Sequence, residues 1–156
     1  MSVFLASRKT GYYWESVEKI LKIVQRVSLD INSDDERKFE DRLSGALQPN
    51  FDDFIDQRNI QQVMTRITAF GHDHRPDMSI ANDGIAIEVK VIRTGASIRE
   101  AIGQAFIYRL GYRFVIIIWV DTSKDKSYKT STDDPNSNEY KFIKELEDYN
   151  IYCIVK

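Results

Sequence analysis

The sequence predicts an α/β fold, with helices flanking one central mixed β-sheet. Three observations predict it. Phe114 to Val120 is an unbroken apolar run of seven residues, as expected of a strand buried on both faces. Asp77–Ala81 and Ile85–Ile92 read as short strands joined through Asn82-Asp83-Gly84, and Asp-Gly is a strong hairpin signal because both central positions of a type I′ turn need positive φ. Helical periodicity separates such strands elsewhere in the chain, the alternation that builds α/β layers.

Taken in order, Glu15 to Ile31 carries Val17, Ile20, Leu21, Val24 and Val27 at the 3.6-residue period of an amphipathic helix. A second helix opens at Ser33. Ser33 and Glu36 have the capping-box spacing, Phe39, Leu43, Ala46 and Leu47 form its apolar face, and Pro49 ends it. Phe51 to Gln62 fits either a short helix or a loop. Val63 to Phe70 is rich in β-branched residues and reads as a strand, and Gly71 to Pro76 as a loop. After the hairpin, Ser97 and Glu100 repeat the capping-box spacing and open a helix that Gly111 closes. Asp121 to Asn138 is polar and reads as an exposed loop. Asn138 to Tyr149 is a helix with Tyr140, Phe142, Ile143 and Leu146 inward, and Ile151 to Val155 is a terminal strand.

Length and composition bound the function. A chain of 156 residues is one domain and buries enough surface to fold without staples. No apolar run approaches the roughly 20 residues of a membrane span, and the first residues lack the pattern of a signal peptide. The single cysteine, Cys153, excludes an internal disulfide and a multi-cysteine zinc site, and its place in the last strand makes it a core residue. A cytoplasmic protein is expected. The net charge of −2 is not that of a free-standing duplex-binding protein, so any nucleic-acid site is local. Charge is uneven in a way that allows one: from Val89 to Arg113, Lys90, Arg93, Arg99, Arg109 and Arg113 stand against Glu100 alone.

Chemistry concentrates in Pro76-Asp77 and Glu88-Val89-Lys90. Alternate residues of a strand share a face, so Glu88 and Lys90 project together while Ile85, Ile87, Val89 and Val91 project to the other side. If the hairpin turns on Asp83 and Gly84, Asp77 lies opposite Lys90. If it turns on Asn82 and Asp83, Asp77 lies opposite Glu88. Either register puts all three on one face, with directly opposed Cβ atoms about 5 Å apart; a three-residue loop would reverse the parity. Two converging carboxylates repel, and a divalent cation relieves this. Hard oxygen ligands suit Mg²⁺, with Mn²⁺ as a substitute. A lysine beside them can orient a water or stabilise charge on a phosphate. The set suits metal-assisted hydrolysis of a phosphodiester.

With Pro76-Asp77 … Glu88-Val89-Lys90, the acidic positions eleven apart and a hairpin signal between them, the sequence resembles the PD-(D/E)XK nuclease superfamily. The resemblance implies a single-domain restriction-endonuclease-like fold, a nuclease core over residues 33–156 and an N-terminal helical extension over 1–32. It implies that Asp77 and Glu88 hold Mg²⁺ with help from an acid on the preceding helix, for which Glu40 is the better match and Glu36 the weaker. Lys90 then assists the attacking water. Gln104-Ala-Phe-Ile-Tyr108 matches the QxxxY motif of the branch typified by helicase-associated exonucleases. Gln104 and Tyr108 share a helix face and are implied to touch substrate, with Arg93 and Arg99, and also Arg109 and Arg113, along the phosphate path. DNA is the substrate implied, with a homodimer or a protein partner offsetting the acidic charge.

Blander roles compete. Tyr108 fits a core ring with its hydroxyl at the edge. His72 and His74 form an HxH pair without cysteine support, more often incidental than metal-ligating. Val115–Val120 before Asp121 imitates a nucleotide-hydrolase strand, but no phosphate-binding glycine loop accompanies it. Two other functions stand beside the deoxyribonuclease: a catalytically silent module of this fold that binds nucleic acid or protein, and a structure-selective junction resolvase.

Overall fold

A computed structural model describes residues 3–59 and 64–156. Helices α1 (Tyr12–Arg26) and α2 (Glu36–Leu47) lead into a three-residue strand β1 (Phe54–Asp56). A two-stranded ribbon, β2 (Ile67–Ala69) and β3 (His72–His74), precedes the hairpin of β4 (Met78–Ile80) and β5 (Ile85–Ile92). Then follow α3 (Gly95–Tyr108), β6 (Phe114–Asp121), α4 (Ser127–Asp133), α5 (Asn138–Leu146) and β7 (Ile151–Val155). The main sheet has the order β1-β4-β5-β6-β7. β1, β4 and β5 are antiparallel neighbours, while β5, β6 and β7 run parallel. The fold is thus α/β around a five-stranded mixed sheet, as the sequence predicts. No helix among the described residues is long and apolar enough to cross a membrane.

The sheet separates two cores. Ile85, Ile87, Val89 and Val91 of β5 and Phe114, Ile116, Ile118 and Val120 of β6 pack with Val17, Ile20 and Val24 of α1 and Phe39, Leu43 and Leu47 of α2. The alternate β6 residues Val115, Ile117 and Trp119 pack with Ala101, Ala105 and Tyr108 of α3 and Leu146 of α5. Both faces of β6 are covered, which is why it reads as a continuous apolar run. Glu88 and Lys90 have the parity of Ala86 and Ile92, on the α3 side.

Several local expectations are corrected. α2 begins at Glu36, with Asp35 as its cap accepting from Lys38 N–H at 3.0 Å; the Ser33 hydroxyl is instead engaged by Asp30 in the preceding turn, so the Ser33–Glu36 box does not form. α3 begins two residues before Ser97, capped by Thr94, whose N–H donates to Ser97 Oγ at 3.3 Å. Within the predicted loop Gly71–Pro76, His72–His74 is a strand pairing with β2, and α4 interrupts the predicted loop after Asp121. Asp121 accepts from Lys129 N–H in the first turn of that helix at 2.9 Å. Phe142, expected inward, is 49% exposed. The ambiguous Phe51–Gln62 contains β1, and positions 60–63 of that stretch and of the predicted Val63–Phe70 strand lie outside the described residues.

The β4–β5 turn keeps its predicted place for a different reason. Ala81, not Asp83 or Gly84, has positive φ. Gly84 is needed for space: a Cβ there would sit 2.4 Å from the Tyr13 ring and 2.5 Å from Ile80 O.

Arg109 does not line a phosphate path. It is 3% exposed and ties the end of α3 to its surroundings, donating to Tyr149 O at 2.8 Å and Leu5 O at 2.7 Å and to the carbonyls of Tyr112 and Arg113. Arg113 opens β6 at the opposite end of the strand from Lys90 and faces Asp83 at 3.8 Å. Arg109→Met strips four carbonyls of a donor and leaves a cavity where the buried guanidinium stood, and is expected to destabilise by about 3 kcal/mol, lowering the melting temperature by roughly 6–12 °C. Thermal unfolding followed by circular dichroism checks this; an unchanged melting temperature would contradict the brace.

Candidate metal and catalytic site

The site begins where the sheet opens. β4 pairs only with Ile85–Ile87, while β6 pairs with all of β5. Pro76 has no N–H and ends the ladder. Val89 N–H, beyond the pairing, donates to Asp77 Oδ2 at 2.8 Å, and Asp77 N–H donates to Glu88 Oε2 at 3.2 Å. The pairing of Met78 with Ile87, continued one step, sets Asp77 opposite Glu88, the register of a turn on Asn82 and Asp83. Asp77 is 9% and Glu88 3% exposed.

Lys90 Nζ lies 3.3 Å from Glu88 Oε1 and 4.0 Å from Glu36 Oε1, reaching past the open side of β5 to the first turn of α2. Tyr108 is fully buried, its hydroxyl 3.2 Å from Glu88 Oε2 and 3.0 Å from Arg75 O. Its ring is in the core and its oxygen turns toward the carboxylate, so it positions Glu88 and the loop that carries Asp77. Gln104 stands one turn earlier, and its Oε1 is buried without a hydrogen-bond partner. Arg93, after β5, and Arg99, in the first turns of α3, are exposed. His72 and His74 stand on the separate ribbon, His74 Nε2 lying 3.1 Å from Ala69 O.

Gln57 was not anticipated. Its Nε2 donates to Asp77 Oδ1 at 3.0 Å and its N–H to Asp77 O at 3.0 Å, so it fixes the carboxylate that Val89 orients. Nothing in the aperiodic stretch around it signals this. Arg58, also unanticipated, gathers Asp56 (2.7 Å) and Asp41 below the site.

Electrostatics follow from burial. Burial pushes the Asp77 carboxyl up to about 6, despite the Val89 N–H and Lys90. Burial, then the Asp77 charge, pushes Glu88 up to about 8. Glu40, half-buried on α2, is pushed up to about 7 by desolvation and then by Asp77, which places it within the field of the site. Burial opposes the charge on Lys90, but Glu88, Glu36 and Asp77 outweigh it and hold the ammonium above its usual range. Lys90 is therefore charged at neutral pH and a hydrogen-bond donor. Tyr108 is raised by burial and by Glu88 and keeps its proton.

Among the described residues, no three His, Cys, Asp or Glu side chains gather into a metal-binding group. The donor chemistry nonetheless fits Mg²⁺, which is commonly held by one or two carboxylates plus waters and substrate phosphate. Asp77 and Glu88 supply two, and their raised protonation is what a cation would relieve. Comparison with protein-family models, with curated protein sequences and with solved structures returns no match.

A pH dependence follows. Asp77, Glu40 and Glu88 hold protons in the folded state at pH values where the unfolded chain has released them. Their contribution to stability is present in acid and lost as pH rises through about 4 to 8. Cation binding must displace these protons. Mg²⁺ or Mn²⁺ is expected to raise the melting temperature more at about pH 8 than at about pH 6. Thermal unfolding at both pH values, with metal or with EDTA, checks this; an equal response at both would contradict a carboxylate site.

Proposed function

We propose that the chain is a metal-dependent nuclease of the PD-(D/E)XK type, with a restriction-endonuclease-like fold, hydrolysing phosphodiester bonds of DNA. The observation that carries the reading is the buried opposition of Asp77 and Glu88 across β4 and β5, with the Lys90 ammonium 3.3 Å from Glu88, at the open side of the sheet. A purely structural pair of buried carboxylates would be costly to retain, since burial and the neighbouring charge raise the cost of ionising them.

In this reading Asp77 and Glu88 hold Mg²⁺, with Glu40 as the acid contributed by α2. The cation supplies Lewis-acid chemistry, easing ionisation of a water and offsetting charge on the phosphate. Gln57 and the Val89 N–H hold Asp77 in place, and Tyr108 does the same for Glu88. Lys90, charged, donates to the attacking water or to a phosphate oxygen where negative charge develops. Arg93 and Arg99 are free to meet the phosphates of the bound strand, and Gln104, on the face of α3 that carries Tyr108, contacts it nearer the metal.

The test is cleavage of supercoiled plasmid and of linear single- and double-stranded DNA with Mg²⁺, Mn²⁺ or EDTA, beside Lys90→Ala. Metal-dependent cutting is expected, reduced in the variant by about 10²- to 10³-fold with its melting temperature near that of the wild type. Absence of cutting on every substrate, together with no stabilisation by metal, would overturn the reading in favour of a silent binding module.

A further inference from the structure

The β2–β3 ribbon stands outside the main sheet, with Ile67 packed against the core on the α3 side, and the chain runs straight from it into Asp77. Its base is fixed on both legs by tyrosines at the end of α3. Tyr112 donates to Thr65 O at 2.8 Å, and Tyr108 to Arg75 O at 3.0 Å, with the same Tyr108 oxygen 3.2 Å from Glu88. Its tip is the opposite. Phe70 is 89% exposed, the most exposed large apolar side chain among the described residues. It turns with Gly71 at φ 54° and 77°, a conformation that a bulky residue adopts rarely and that holds the ring out from the ribbon.

The pleat sorts the side chains. Ile67 and Ala69, opposite His74 and His72, share one face. Thr68 and Asp73 share the other, with Arg66 and Arg75 at its base and Phe70 at the turn. Asp73 is held there by Thr68 Oγ1 at 2.6 Å and lies 3.5 Å from Arg66 Nη1. Arg66 pairs with Asp73 and the charge of Arg75 also acts on that carboxylate, so the ribbon carries two guanidinium groups against one acid. A solvated aromatic next to arginines on a rigidly based ribbon is what an unpaired nucleobase on a phosphodiester strand requires: a π-face to stack on and cations to hold the backbone. A protein partner would want a broader apolar surface than one ring.

We propose that the ribbon is a strand-engaging finger, with Phe70 stacking on an unpaired base and Arg66 and Arg75 holding the phosphates of the same strand. It deepens the nuclease reading and rests on it for the purpose of the contact. Seven residues of chain separate Phe70 from Asp77, so the tip lies within about 25 Å of the site, and the finger would present a strand to Asp77 and Glu88. The preferred substrates are those with unpaired bases, namely single strands, frayed ends and branch points, over blunt duplex.

Fluorescence anisotropy of a labelled single-stranded oligonucleotide in EDTA, where no cutting occurs, tests this with the full chain. Phe70→Ala is expected to bind about 5- to 100-fold more weakly, and Phe70→Trp to bind as well as the wild type. Both should melt with the wild type, because the ring touches no core. Arg66→Ala and Arg75→Ala should each flatten the salt dependence by about 0.7 in log–log slope. Binding of single strand by Phe70→Ala within twofold of the wild type would overturn the finger, as would a wild type that binds blunt duplex as tightly as single strand. Binding that depends on Phe70, with neither metal-dependent cutting nor stabilisation by metal, would uphold the finger and defeat the nuclease reading; cutting with binding indifferent to Phe70 would do the reverse.

Discussion

Two carboxylates, Asp77 and Glu88, face each other across an antiparallel pair of strands at a depth where neither ionises freely. That opposition constrains what surrounds it. Gln57 and the Val89 N–H are spent on holding Asp77, and Lys90 and the Tyr108 hydroxyl on holding Glu88. The fold makes the opposition possible by stopping β4 short. Pro76 cannot continue the ladder, so the backbone groups of β5 beyond Ile87 look into a notch rather than at a neighbour. Carboxylates, a lysine and the first turn of α2 fill that notch.

The same notch ties distant elements together. α3 crosses from β5 to β6, and Tyr108 at its end and Arg109 and Tyr112 in the turn that follows each have a task beyond packing. Tyr108 links Glu88 to the loop before Asp77, Tyr112 anchors the first leg of the ribbon, and Arg109 gathers the carbonyls of three other segments. In the proposed reaction these contacts keep the acidic pair at a fixed separation for a cation, so that little reorganisation is needed when one binds.

Much of this frame was legible in the sequence. Ile85–Ile92 and Ile151–Val155 match their predicted bounds, and β6 runs one residue past its predicted end. Long apolar runs and strict alternation are strong signals because burial dictates them. The register of Asp77 against Glu88 was one of two predicted, and settling it needed the turn itself, which is four residues long between paired Ile80 and Ile85. Three-residue strands such as β1 and β3 were not legible, because so short a segment has no periodicity. Caps were misplaced wherever two candidates stood close together, as with Ser33 and Asp35. Tyr108 and Arg109 show the limit for single residues: the sequence offered Tyr108 both as a substrate contact and as a core ring with its hydroxyl at the edge, and Arg109 as a phosphate contact, and only tertiary burial makes the first a positioner of Glu88 and the second a brace.

The central claim is that the acidic pair is retained at a cost to stability because it serves a cation. Glu88→Gln separates the two, since it removes a charge that Asp77 and burial oppose while keeping an acceptor for Asp77 N–H. Thermal unfolding of this variant at about pH 8, titrated with Mn²⁺, is the direct measurement. The account predicts a metal-free melting temperature at or above that of the wild type and loss of the rise on adding metal. A variant that melts well below the wild type and still gains the full metal response would contradict it.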